Sequence, residues 1–294
     1  MIFLILSILS STSIYVVFKL VERHKVVNFS AIIVNYIVAC FAGFFLSDIN
    51  PFTLQVFSQK WLPIALLVGI MFIVMFYVIA KSTQKAGVGV TTVASKMSVV
   101  FPIVFSIWYD ANDSLTMLKV VGIVLALIAV YLTVYQKNNK SLDPKIFFLP
   151  LSLFVGMGLV DSFVKFAQAE YITDSLASTF SSVVFASSLL VGLLVLPFNK
   201  PAAKCLGKLK TWGLGALLGL VNFGSIYFLI LALNHININT NKQAMGSVVF
   251  GINNISIVAL SVLVGFVFYR ERPSKINWGG IILTGISILV LALS

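Results

Sequence analysis

Asp161 and Lys165 stand four residues apart within an apolar run, Ile146–Phe166. That spacing puts both on one helix face, within reach of an ion pair. An ionisable side chain in a long apolar helix is costly unless it is paired or faces water, so each is a candidate site. Asp161 is read either as half of a structural ion pair or as a substrate or proton site. Lys96, with Thr92 one turn earlier, lies in a second apolar run, Val88–Tyr109. It is read as a counter-charge for a carboxylate or phosphate, or as a partner for Asp161. A third run carries Gln243, Ser247, Gly251 and Asn254 at helical spacing, joined by Asn253. Amides donate and accept, so this stripe suits amino and carboxyl groups alike; hydrogen bonding between helices would use it equally well. Ser11, Tyr15 and Lys19 repeat the four-residue step near the N-terminus, and Asn222, Tyr227 and Tyr77 are weaker candidates. Asn35 reads as a bond to a neighbouring helix. The sequence contains no P-loop, His/Cys metal cluster or Ser/His/Asp set. Neither an enzyme nor a cofactor is expected.

The elements that must position these residues follow from composition. Hydrophobic residues make up 60% of the chain and Asp, Glu, Lys and Arg 10%, against roughly 45–50% and about 25% in soluble domains. Ten stretches approach the roughly 20 apolar residues that cross a bilayer as helix. They are Ile2–Leu20, Ser30–Ser47, Leu62–Ala80, Val88–Tyr109, Thr116–Tyr135, Ile146–Phe166, Leu176–Pro197, Trp212–Leu233, Thr240–Tyr269 and Ile276–Leu293. Backbone groups in lipid must be paired internally, and these runs lack the alternation of barrel strands, so helices are expected. The first stretch lacks a basic leader and keeps Lys19, which makes it a spanning helix rather than a signal sequence. Cys40 within the second span and Cys205 before the eighth argue against a disulfide framework.

The sequence repeats internally. Leu4–Leu20 lies over Pro150–Phe166, matching Lys19 to Lys165 and Tyr15 to Asp161. Leu67-Val68-Gly69 lies over Leu217-Leu218-Gly219, and Tyr77 falls on Tyr227. Ser98-Val99-Val100-Phe101-Pro102-Ile103 shares five of six residues with Ser247-Val248-Val249-Phe250-Gly251-Ile252. Asp113–Tyr135 lies over Glu271–Leu293 without a gap and pairs Gly122 with Gly280. The expected plan is a five-helix repeat over residues 1–137, a linker at 138–145 and a second repeat over 146–294. An odd number of spans per half inverts the second copy, a transporter signature that places a site near the midplane. Pro102 to Asp113 is nine residues shorter than Gly251 to Glu271. The ninth span is therefore expected to be unusually long or broken, with Gly251–Asn254 the place for a break.

Lysines end the first helix of each half (Lys19, Lys165). Aromatic and small residues close the third, as in Phe76-Tyr77-Val78-Ile79-Ala80 and Ile226-Tyr227-Phe228-Leu229-Ile230. Phe268-Tyr269-Arg270-Glu271-Arg272-Pro273 leads into Trp278-Gly279-Gly280. With these features the chain resembles the EamA-like branch of the drug/metabolite transporter superfamily over essentially its whole length. The first half departs from the pattern, having Asp113-Ser114-Leu115 in place of the Glu-Arg-Pro turn. The resemblance implies a ten-helix bundle in which the first, third and fourth helices of each half surround a cavity, with the fifth and tenth behind. It also implies small-molecule cargo, which in that family spans amino acids, nucleotide-linked sugars, sugar phosphates and drugs.

The net charge is +11, but the lysines sit in loops, so lipid head groups rather than nucleic acid are the expected partners. Arg23, Lys25, Lys81, Lys85, Lys137, Lys140, Lys145, Lys200, Lys204, Lys208, Lys210, Arg270, Arg272 and Lys275 follow odd-numbered spans, whereas only Lys60, Lys119 and Lys242 follow even-numbered ones. That bias puts both termini outside the cytoplasm, whereas the family resemblance puts them inside. The expected function is a carrier or exporter of amino-acid-like metabolites in a bacterial inner membrane, a monomer or weak homodimer, with protons as a candidate coupling ion. An anionic sugar-phosphate, nucleotide- or lipid-linked cargo, and a non-transporting scaffold, are the alternatives.

Overall fold

The computed structural model describes residues 2–47, 50–51, 53–102, 104, 116–134, 144–234, 236–237, 242–243, 246–271 and 273–293. The longer helices are α1 (Ile2–Arg23), α2 (Asn28–Phe45), α4 (Leu62–Lys85), α5 (Val88–Met97), α6 (Met117–Val134), α7 (Pro144–Glu170), α8 (Asp174–Val195), α10 (Leu209–Asn234), α11 (Gly246–Tyr269) and α12 (Lys275–Ala292). Short helices α3 (Leu54–Phe57) and α9 (Lys200–Cys205) lie in connections, and β1 (Ile236–Asn237) pairs antiparallel with β2 (Lys242–Gln243). Among the described residues seven helices are long and apolar enough to cross a membrane: α1, α2, α4, α7, α8, α10 and α11. Val88–Pro102, Met117–Thr133 and Lys275–Leu291 are apolar but shorter. The chain is an all-α integral membrane protein.

Two expectations are corrected. The ninth span starts at Gly246, not Thr240, and α11 runs unbroken through Gly251–Asn254. Gln243 therefore lies in β2, off the helix that carries Asn253 and Asn254. The interruption is in the fourth span instead, where α5 stops at Met97 and a turn at Ser98–Val99 precedes further helical residues to Pro102. The cause is local. Proline has no N–H to give the carbonyl four residues back, and its ring crowds that carbonyl. Four residues before Pro102 is Ser98, whose C=O instead accepts the Phe101 N–H at 2.9 Å. The repeat puts Gly251 where Pro102 stands, and glycine leaves α11 intact. The end of the fourth span expected at Tyr109 and the acidic position Asp113 lie outside the described residues. α7 begins at Pro144, inside the expected linker.

The chain packs as two compact units, Met1–Ala80 with Phe163–Gln243 and Lys81–Ser162 with Ala244–Ser294. Each draws on both sequence halves. In the first unit α10 packs along α1 and α2, and α8 packs on α2. Small residues permit the close approach, as membrane helix interfaces require. A Cβ at Gly43 would lie 2.9 Å from Ser182 Cβ, and one at Gly192 would lie 2.5 Å from Ile33 Cδ1. Serine hydroxyls cross the same interfaces: Ser182 donates to Cys40 O at 2.9 Å and Ser188 to Gly69 O at 2.7 Å.

In the second unit α6 and α12 form the most extensive pair. A Cβ at Gly122 would meet Leu291 at 2.6 Å, one at Gly280 would collide with Thr133, and Ser287 Oγ donates to Gly122 O at 2.8 Å. A core of Val93, Met97, Val100, Ala126, Val130, Phe154, Val258, Val262, Ile288 and Leu291 joins its five helices.

Candidate functional site

Three residues on one face of α7 meet the broken end of the fourth span. Phe154, Gly158 and Asp161 follow helical spacing. Phe101 stacks edge-on to Phe154, ring centres 5.2 Å apart, and lies directly against Gly158. One turn further on, Ser98 Oγ lies 3.2 Å from Asp161 Oδ2, sharing its proton between that carboxylate and the closer Ser95 O at 2.5 Å. The two segments therefore run antiparallel, and the Gly158 contact sets the depth at which the Asp161 carboxylate sits. Lys96, in the last turn of α5, attracts Asp161 electrostatically, and both side chains are half-buried. A positive charge in the last turn of a helix is also favoured by the helix dipole.

The other wall of this unit is set by Glu271. Val88 N–H donates to its Oε1 at 2.7 Å and Gly89 N–H to its Oε2 at 3.3 Å. A carboxylate thus caps the N-terminus of α5, where free N–H groups and the helix dipole favour negative charge. Gly87, at φ +96°, starts the helix beneath that carboxylate, which would lie 3.1 Å from any Cβ there. Val88 faces Gly265 and Gly89 faces Val262, so α5 and α11 run antiparallel. Continuing that register for seven residues brings Lys96 to the level of Ile255 and its neighbours Asn253 and Asn254. Both asparagines are buried, and Asn253 Oδ1 has no hydrogen-bond partner among the described residues. Lys96, Ser98, Asp161 and the asparagine pair thus belong to one unit, with one cation, one anion, a hydroxyl and two amides.

The remaining candidates lie in the first unit. Lys19 Nζ is 3.6 Å from Glu22 Oε2. Asn222 Nδ2 donates to Asn35 Oδ1 at 3.1 Å between α10 and α2, both residues buried. Tyr227 stacks on Phe223 at 5.1 Å. Tyr15 is buried, Lys165 is half-buried, and Tyr77 is 41% exposed on α4.

No family model matches the chain. A protein of Haemophilus influenzae (strain Rd), described as uncharacterized, is 27% identical over 302 residues, covering 98% of this chain and 96% of its own length. A solved protein crystal structure superposes with a TM-score of 0.58 at 13% identity, covering 98% of this chain and 97% of that one. These likenesses concern fold and length.

Ser98, Gly158 and the capping role of Glu271 were missed from sequence. Pro102 four residues after a polar side chain was a usable signal for Ser98. Glu271 stood in the most family-like stretch, but only folding shows its carboxylate at the start of α5.

Proposed function

We propose that this protein is a secondary transporter of small zwitterionic, amino-acid-like metabolites, working by alternating access in a bacterial cytoplasmic membrane. The observation that carries the reading is the opposed pair Lys96 and Asp161 at the interrupted fourth span, with Ser98 on the carboxylate. A zwitterion presents a carboxylate to Lys96 and an ammonium to Asp161. Binding then gives each of the two charges a close counter-charge, with little net charge carried into the membrane. An interrupted span frees backbone groups where a substrate can use them, as discontinuous helices do in carriers.

The ten-span, inverted-repeat plan belongs to the same proposal. Seven long helices and three shorter apolar ones make ten. Equivalent helices run in opposite senses: Gly122 meets Leu291 while Gly280 meets Thr133, and Gly43 meets Ser182 while Gly192 meets Ile33. That crossing of contacts is what an inverted duplication produces, and it supports the resemblance to EamA-like carriers. An anionic cargo would need several lysines turned to one pocket. Lys96 instead attracts Asp161 and Lys19 approaches Glu22, which favours the zwitterion.

Proteoliposomes preloaded with unlabelled amino acids should exchange at least one labelled amino acid from a panel, and Asp161→Asn and Lys96→Gln should each lower that exchange at least about tenfold. No exchange with any member, or full exchange by both variants, would overturn the reading.

A further inference from the structure

The connection from α8 to α10 with the first residues of α10, residues 196–210, carries Lys200, Lys204, Lys208 and Lys210 and no carboxylate. It is folded, not slack. A 3-10 turn (Leu196–Phe198) leads into α9, whose N-terminus is capped by Asn199 Oδ1 accepting the Ala202 N–H at 3.2 Å. Thr211 Oγ1 donates to Cys205 O at 2.7 Å, and Trp212 Nε1 donates to Leu206 O at 2.8 Å. Ser30 Oγ donates to Ala202 O at 2.8 Å, which fastens α9 to the start of α2. Burial raises the pKa of the Cys205 thiol, but its hydrogen bonding with Thr211, the Val27 backbone and Ser30, and least of all the charge of Lys208, bring it below the usual value.

The α1–α2 corner beside this fastening exposes Arg23 and Lys25. The C-terminal ends of α1 and α8 and the N-terminal ends of α2 and α10 thus gather six cations on one end of the first unit, against one exposed carboxylate, Glu22. Large apolar side chains stand among them: Phe198 is 89% exposed, Leu209 88%, and Trp212 is exposed beside Lys210. Lysines interleaved with outward Phe, Leu and Trp at the ends of spans fit a head-group layer, where the charge meets phosphate and the apolar side chains dip toward the acyl chains. A soluble anion would satisfy the lysines but leave those apolar side chains uncovered.

We infer that this surface is a docking site for anionic glycerophospholipid, selected over zwitterionic lipid by the lysines of the α8–α10 connection. The inference rests on the chain being a membrane protein and is independent of what it transports.

The full-length protein in detergent, offered equal amounts of phosphatidylglycerol and phosphatidylcholine, should retain the anionic lipid preferentially in native mass spectrometry. The K200Q/K204Q/K208Q/K210Q variant should lose that preference by about tenfold or more, while K60Q/K119Q should keep it. Should the quadruple variant not fold, the unmodified protein still tests the idea, because raising salt must erase the preference. Equal retention of both lipids, a preference indifferent to salt, or equal loss in K60Q/K119Q would overturn it. Displacement of the lipid by excess glycerol 3-phosphate would do so as well, since a free phosphate would then suffice.

Discussion

Lys96 and Asp161 each carry a charge in a chain that holds few charges within its spans. Removing one leaves the other without its attraction, whereas removing both leaves neither charge behind. In a double-mutant cycle, Lys96→Gln and Asp161→Asn should each destabilise the protein, and the double variant should be more stable than their sum by about 0.5–3 kcal/mol. Chemical denaturation in detergent measures this. Additive losses would mean the two side chains act separately. The sequence made Lys96 and Asp161 visible because charge in an apolar run is conspicuous. It could not show that they attract each other, because they are 65 positions apart and meet only when α7 packs against the fourth span. Asn222 shows the converse. Sequence offered it as a weak binding residue, and only packing shows that it donates to Asn35.

At the scale of elements, the break after Met97 and the cap on Val88 define both ends of α5. Pro102→Gly copies the residue found at the equivalent place in α11 and restores an N–H for Ser98 O. The hydrogen-bond ladder should close, and amide exchange over residues 96–102 should slow in hydrogen–deuterium exchange. Unchanged exchange there would mean that something other than the proline interrupts the helix. Glu271→Gln keeps one acceptor oxygen but loses the charge at the helix start. It should cost about 1–2 kcal/mol, and Glu271→Ala somewhat more. Equal stability of all three proteins in denaturant titration would show the cap to be inert. The seven long apolar helices among the described residues were legible because burial in lipid demands long unbroken runs. The mistaken position of the break came from comparing spacings between the halves, which reveals an inserted length but not where a hydrogen-bond ladder fails.

At the scale of the molecule, each compact unit contains a pair of antiparallel helices joined by glycine contacts from both sides. Gly122 and Gly280 occupy matching places on α6 and α12, each against the other helix. Gly122→Leu and Gly280→Leu should therefore destabilise the protein by similar amounts, about 1–3 kcal/mol each from overpacking. Thermal unfolding in detergent compares them directly. A large loss from one and none from the other would contradict the reciprocal arrangement. The pair was matched from sequence, because Asp113–Tyr135 lies over Glu271–Leu293 without a gap. Gly43 and Gly192 form a similar pair of contacts between α2 and α8 that the sequence comparison did not single out.

Composition and the lengths of apolar runs determined by themselves that this is an all-α membrane protein, because a backbone in lipid has almost no alternative to the helix. Tertiary structure alone decided how the chain is grouped. Both compact units take helices from each half, since helices in lipid associate through complementary small-residue faces and interhelical hydrogen bonds rather than by order in the chain. It also decided which polar residues meet. Asp161 faces Ser98 because Gly158 lets Phe101 approach, a consequence of shape that no spacing in the sequence encodes.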